Sequence, residues 1–351
     1  MTTIYVKEQG SRISRQGERI TITKDGQLLE TFPLNQIEQI VLMGNVQMTT
    51  QAIATLLAQN VDVVYLSSYG KYRGRLNGIG SQNARLRQQQ LRSAADTAIT
   101  LRIAQAIVDG KIHNQRVLLQ RQKQRLNALP QRERGAPGTP ANQALFEKAL
   151  AGMLQMQRAA LHATDVDALR GYEGKAAAYY FQALATLLPA AWNFTGRVYH
   201  PPTDPFNALL SFGYSLLLKD VLAAVNQVGF DPYVGFFHEI DYGRPSLALD
   251  LMEEWRPLIA DAMALELVNR GILLPTTFTW TNAPNRPVVL GEAGVAHVFT
   301  AYGERLETQI YHPLAGPGGN TATRQAILLQ SRRLAHVVMG QETAYEAMKA
   351  K

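Results

Sequence analysis

Hydrophobic and polar positions alternate along the first third of the chain and then change period. Residues 2–6, 11–15, 19–24 and 28–33 alternate apolar with polar side chains, the signature of half-buried strands. Gly10, Gly17 and the pair Asp25-Gly26 punctuate them, and Asp-Gly between two such runs predicts a tight hairpin. IEQIVL (37–42) predicts a further strand, with Val46 and Met48 in the next short one. TTQAIATLLAQ (49–59) predicts a short helix opened by a threonine cap, and VDVVYL (61–66) an apolar strand after it. From Asn83 onward the period becomes helical. Leu86, Leu91, Ile99, Ile103 and Ile107 form a stripe at helical spacing. A helix capped by Thr164 or Asp165 runs through VDALRGYEGKAAAYYFQALATLL to Pro189, and Asp204 leads into a second over 206–225. Residues 278–290 predict a hairpin or extended loop, and 292–306 and 321–339 two further helices, with Gly340 ending the last. The final QETAYEAMKAK reads as a disordered or partner-bound tail. The fold class expected is α+β, with a β-rich N-terminal domain over 1–82 and a larger all-α domain over 83–351.

Composition narrows this. A chain of 351 residues has room for two cores. There are no cysteines, which excludes disulfides and every Cys-ligated metal site. The N-terminus lacks the apolar segment of a secretory signal, and the uncharged stretch 176–196 is interrupted by Gln182, Pro189 and Asn193. A cytoplasmic protein without a membrane span is therefore expected. The net charge of +7 points to an anionic partner. Most of the excess lies between Arg85 and Arg134, where eleven basic residues face only Asp96, Asp109 and Glu133. That concentration suits a surface tracking phosphates. Arg73 and Arg75, with Tyr69 and Tyr72 in the glycine-rich SSYGKYRGRLNG, fit phosphate contact and base stacking, or a solvated hairpin tip.

Candidate chemistry centres on GFDPYVGFFHEIDYGRPSLALDLMEEWRP (229–257). His238 closes an apolar run. After an exposed turn and Arg244, a helix is expected with Pro245 in its first turn. Asp250, Glu253 and Glu254 fall at i, i+3 and i+4, so their carboxylates would share a face. A histidine with hard carboxylate oxygens suits Mn²⁺ or Mg²⁺, while the same spacing also fits a solvated acidic face beside a core histidine. Earlier in the chain, Glu173 sits in RGYEGK between Gly171 and Gly174, each of which weakens a helix by roughly 1 kcal/mol relative to alanine. That cost fits close approach of a backbone or ligand; a surface pairing with Arg170 or Lys175 is the other reading. The glycine cluster at 316–319 lacks the following Lys-Ser/Thr of a phosphate loop and reads as a plain loop.

RGYEGKAAAYYF, PPTDPFNALLSFGYSLL, GFDPYVGFFH and RPSLALDLMEEWRP, in this order, resemble the CRISPR-associated spacer-acquisition integrase family, the catalytic subunit of the adaptation complex. The resemblance covers nearly the whole chain. It implies a prokaryotic, metal-dependent DNA integrase and endonuclease. Such a protein is a homodimer, with a β-domain for dimerisation and DNA contact and a helical domain holding one Mg²⁺ or Mn²⁺. It implies double-stranded DNA (spacer precursor and repeat array) and a small ferredoxin-like subunit as partners. Carried over by motif, the metal-binding and catalytic residues are Glu173, His238 and Glu253, with Asp250 a further acid near the ion and Glu254 ranked below both. The third ligand is Asp in some branches and Glu here. Arg244 is the first choice for gripping a phosphate, followed by Arg170, Lys175 and Arg197; His238 is read as a neutral ligand without a separate acid partner. The rival readings are a stand-alone structure-selective nuclease and a non-catalytic DNA-binding scaffold.

Overall fold

The computed structural model describes residues 2–76, 78, 83–128, 139–199 and 201–350. Arg132, Arg134 and most of the 135–140 loop lie outside the described residues, as does His200. The chain divides into two compact units, Met1–Gln82 and Asn83–Lys351.

The first unit holds two four-stranded sheets. One has the order β1 (Thr2–Val6), β5 (Ile37–Met43), β7 (Asp62–Leu66), β8 (Tyr72–Leu76); the first three strands run parallel and β8 antiparallel. The other is β4 (Gln27–Pro33), β3 (Arg19–Lys24), β2 (Arg12–Gln16), β6 (Gln47–Met48). Asp25 and Gly26 turn β3 into β4 with φ of +49° and +79°, the left-handed pair of a two-residue hairpin. β5 is buried at nearly every position, as expected for a strand flanked on both edges by parallel neighbours and covered on its faces. The crossover from β5 to β7 carries α1 (Thr50–Ala58), whose cap Thr49 accepts the Ala52 amide. Ile4, Ile13, Ile20, Ile40, Leu56 and Val63 belong to a single core. The stretch around Arg73 and Arg75 is a strand rather than a loop. Arg75 is paired with Asp62 across β7 and β8 at 2.7 Å, which commits its guanidinium to the sheet; Arg73 stays exposed.

The second unit is helical: α2 (Ala84–Ala95), α3 (Thr97–Ala128), α4 (Pro140–Ala160), α5 (Val166–Ala185), α6 (Pro205–Val228), α7 (Ser246–Met252), α8 (Ala262–Asn269), α9 (Glu292–Glu307) and α10 (Thr323–Val338). Two short hairpins, β9 (Phe278–Trp280) with β10 (Val288–Leu290) and β11 (Gln309–Tyr311) with β12 (Asn320–Ala322), join the later helices. Among the described residues α6 alone is long and apolar enough to cross a bilayer, but most of it is buried as the central helix of this unit. Asp204 caps it by accepting the Asn207 amide at 2.8 Å, and Gly229 ends it at φ +106°. α3 packs against the pair α4 and α5, and α6 against α7, α8 and α10. Leu86, Ile103 and Ile107 are buried as their spacing requires, whereas Leu91 is 57% exposed and does not belong to the stripe. The tail is also not loose. Residues 341–350 are placed against α3, α10 and the turn after α7.

Candidate metal and phosphoryl-transfer centre

Three elements bring charge together inside the helical unit. α5 begins at Asp165, whose Oδ1 accepts the Ala168 amide at 2.8 Å, and two turns later presents Glu173. α3 runs beside it and supplies Lys111, while the turn after α7 supplies Glu253. The Lys111 ammonium lies 2.5 Å from Glu173 Oε1 and 2.6 Å from Glu253 Oε2, so one positive centre holds both carboxylates. His238 Nε2 stands 3.6 Å from Glu253 Oε1, and Arg256 Nη1 3.4 Å from that same oxygen. Glu173 therefore pairs with neither Arg170 nor Lys175. An added methyl on Gly171 or Gly174 would meet nothing, so these glycines leave the α5 surface beside Glu173 open and do not seat another backbone.

Asp250 lies outside this ring of charge. It is wholly buried, and its oxygens are spent on the loop that carries the histidine. Oδ2 accepts the amides of Phe236 and Phe237 at 2.6 and 3.0 Å; Oδ1 accepts the His238 amide at 2.8 Å and the ring Nδ1 at 2.7 Å. Asp250, expected as an acid near the ion and ranked below Glu253, thus stands behind the histidine, and the expectation that His238 lacks an acid partner is corrected. A carboxylate only accepts, so Nδ1 carries a proton, and Nε2 is the ring atom that faces Glu253. The close wrap depends on Gly235, where a side chain would meet Asp250 Oδ2 at 2.7 Å. Arg170 holds the loop from the other side, its Nη2 donating to Phe237 O at 3.0 Å.

Glu254 also leaves the expected shared face. α7 ends at Met252, Pro245 caps it rather than entering its first turn, and the chain then turns so that consecutive glutamates point apart. Glu254 accepts from the Tyr345 hydroxyl and the Met348 amide. Burial pushes its carboxyl up to about 8, only partly offset by those two donors. Burial pushes Glu253 the same way, but the charges of Arg256 and Lys111 outweigh it and hold that carboxyl down at about 2. Burial pulls Lys111 down, yet the carboxylates of Glu173 and Glu253 keep it above an ordinary lysine.

Arg256 is fixed by a buried network. Its guanidinium lies 4.8 Å from the Tyr214 ring centre. The Tyr214 and Tyr180 hydroxyls both donate to Asp261 at 2.7 Å. Arg197, expected to touch DNA, instead donates to Asn207 Oδ1 and Ser211 Oγ at 2.8 and 3.1 Å and braces α6. Lys175 is exposed over the Tyr179 ring, and Arg244 is half-buried with no side-chain partner among the described residues. Lys111 and Arg256 were not singled out as site residues by the sequence: one lies in a run of bases, the other follows the acids by three positions. The helical spacing of Arg256 from Glu253 was the available signal.

The donor set suits a hard divalent cation. Two carboxylates and an imidazole, with a third carboxylate behind the imidazole, are the ligand chemistry of Mn²⁺ or Mg²⁺. Among the described residues no three His, Asp or Glu side chains are drawn up as a finished cage, because Lys111 stands between Glu173 and Glu253. The family model for CRISPR associated protein Cas1 matches residues 4–304. The chain belongs to the Cas1 family. It is 36% identical over 345 residues to a CRISPR-associated endonuclease Cas1 of Thermus thermophilus, covering 98% of this chain and 96% of that relative. The fold of a CAS1 protein from Thermotoga maritima superposes with a TM-score of 0.79 at 21% identity, over 99% of this chain and all of that one. A casposase bound to integration product gives 0.81 at 21% identity, over 99% of this chain and 93% of the other. In this Cas1-family chain, Glu173 and Glu253 thus meet on the Lys111 ammonium, His238 faces Glu253, and Asp250 stands behind the histidine.

Proposed function

We propose that this Cas1-family chain is a metal-dependent DNA integrase that joins DNA fragments to a CRISPR array by 3′-OH transesterification. The observation that carries the reading is the pairing of Glu173 and Glu253 on one positive centre, with Nε2 of His238 turned toward Glu253. Glu173, Glu253 and His238 would hold Mg²⁺ or Mn²⁺. When bound, such an ion lowers the pKa of an attacking hydroxyl and stabilises charge on the phosphoryl oxygens. In the reaction a DNA 3′-oxygen attacks phosphorus and the bond to the target's own 3′-oxygen breaks. One proton leaves the attacking hydroxyl and one reaches the departing oxygen. Asp250 keeps the proton on His238 Nδ1, Arg256 stabilises the Glu253 carboxylate, and Arg244 with the exposed Arg73 and Lys175 supplies positive charge for phosphates. Double-stranded DNA, a second copy of the chain and a small ferredoxin-like subunit are the partners this reading implies. Water replacing the 3′-OH would give endonuclease activity at the same centre.

A non-catalytic DNA-binding scaffold is the second reading, and Lys111 favours it: its ammonium already pairs with both carboxylates. Incubating the protein with a duplex bearing free 3′-OH ends, a repeat-containing target and Mn²⁺ separates the readings. Joined strands are expected from wild type, and a loss of about 10²–10³-fold from His238→Ala, the range for removing one transition-state contact. Cleavage without joining would support the stand-alone nuclease. Binding with neither product would support the scaffold.

A further inference from the structure

The segment 341–350 is more than an ordered end. It ties together, from behind, the two pieces of chain that carry Lys111 and Glu253. Tyr345 donates its hydroxyl to Glu254 Oε1 at 2.5 Å, and the Met348 amide donates to Glu254 Oε2 at 2.6 Å. Both contacts fall one residue from Glu253. On α3, Asn114 joins the two sides: its Nδ2 donates to the Glu254 and Met348 carbonyls, each at 2.8 Å, and its Oδ1 accepts the Ala350 amide at 2.9 Å. Lys349 pairs with Asp109 at 2.5 Å, two residues before Lys111. Between them Gly110 lets the strands of chain close, since a side chain there would meet Ala347 at 2.4 Å. Gln330 of α10 anchors the segment by donating to the Tyr345 hydroxyl and the Glu346 carbonyl, each at 2.8 Å.

We propose that residues 341–350 are a positioning clamp, which sets the distance between the Lys111 turn of α3 and the Glu253 turn and so fixes where Glu253 stands relative to Glu173 and His238. The proposal rests on the cation-site reading above. The physical reason is local. The helix has ended at Met252 and helical structure resumes only at Pro257–Asp261, so Glu253 sits in the interruption over 253–256, its amide bonded to the Asp250 carbonyl at 3.2 Å. Glu254 and its carbonyl are fixed instead by a tail side chain, a tail amide and Asn114. A buried carboxyl and a buried carbonyl keep these partners because going without would leave them unsatisfied in the interior. Tyr345, Asn114 and Glu254 are therefore positioning residues, none of them facing Lys111, Glu173 or His238.

The full chain carrying Tyr345→Phe keeps the ring and loses one hydroxyl. Mn²⁺ affinity by titration calorimetry is expected to fall about tenfold, and kcat for strand joining to fall with it, as when groups behind metal ligands are removed. Affinity for duplex DNA in EDTA should stay within about twofold, because no phosphate-facing group changes. A chain ending at Gln341 should lose Mn²⁺ affinity on the order of a hundredfold, and the peptide 342–351 added in trans should recover it. Unchanged Mn²⁺ affinity and kcat in folded Tyr345→Phe would overturn the clamp, whatever the thermal stability does. If the shortened chain fails to fold, Tyr345→Phe alone decides. Absence of Mn²⁺ binding by wild type would overturn the cation-site reading and the clamp together; wild-type binding with an indifferent Tyr345→Phe overturns the clamp only.

Discussion

Glu253 and Glu254 are neighbours on one turn, nearly or wholly out of solvent, and the two sides of that turn treat them oppositely. On the site side Glu253 meets Lys111, Arg256 and His238 and is held ionised, near 2. On the clamp side Glu254 meets only a hydroxyl and amides, and burial drives its carboxyl to about 8. Burial alone does not make an acid functional. The charge of what faces it decides whether it stays a carboxylate that binds cations or becomes a neutral carboxyl that binds donors. Two residues with the same side chain, one position apart, separate into an electrostatic site and a structural tie.

The comparison can be broken most forcefully at Lys111. Lys111→Met leaves two inward-facing carboxylates without their ammonium. In metal-free buffer it should destabilise the chain by about 3–5 kcal/mol, the cost of leaving a buried charge unpaired. Added Mn²⁺ should recover most of that in thermal unfolding. Recovery marks the carboxylates as a cation site, whereas a loss that Mn²⁺ does not touch marks Lys111 as ordinary core pairing.

Asp250→Asn sharpens the same contrast from behind the histidine. The substitution removes the charge and turns one of two accepting oxygens into an NH₂ donor, so the four N–H groups that converge on this side chain, Nδ1 among them, can no longer all be accepted. Mn²⁺ affinity should fall about 10–100-fold, as is usual when the partner of a ligating histidine is lost. Calorimetry checks it, and an unchanged affinity would return His238 to a packing role.

The smallest effect is expected on the clamp side. Glu254 has a folded-state value above its unfolded one, so the folded chain keeps a proton that the unfolded chain releases. Its contribution to stability is full below about 4.5 and is lost as pH rises through about 8. Glu254→Gln removes that dependence. Denaturant midpoints at pH 6 and pH 9 should differ less for the variant than for wild type, and parallel profiles would show that Glu254 is ionised in both states.

Much of this architecture was legible in the chain. Alternation and the Asp25-Gly26 signal placed the N-terminal strands, and Asp165 and Asp204 marked their helices because a capping carboxylate is a local device. What stayed hidden depends on partners far away in sequence. Lys111 sits in a run of bases that reads as a phosphate surface, and only the approach of α5 and the α7 turn shows it to be buried between acids. Arg75 lies among glycines and tyrosines that look like a loop, yet its strand pairing with β7 supplies Asp62. Asp250, Glu253 and Glu254 would share a face on a continuing helix, but α7 ends at Met252 and the helical extrapolation fails there. The tail is polar and follows Gly340, so it reads as loose; it is ordered by Glu254 and Asn114, 91 and 236 residues from their tail partners.

The central claim is that Glu173, Glu253 and His238 act on one divalent cation. Mn²⁺ titration calorimetry on wild type, Glu173→Gln and Glu254→Gln tests it most directly. The account predicts one ion per chain for wild type, no measurable binding for Glu173→Gln, and a retained, weaker site for Glu254→Gln. Equal binding by wild type and Glu173→Gln, or no binding by wild type, would contradict it.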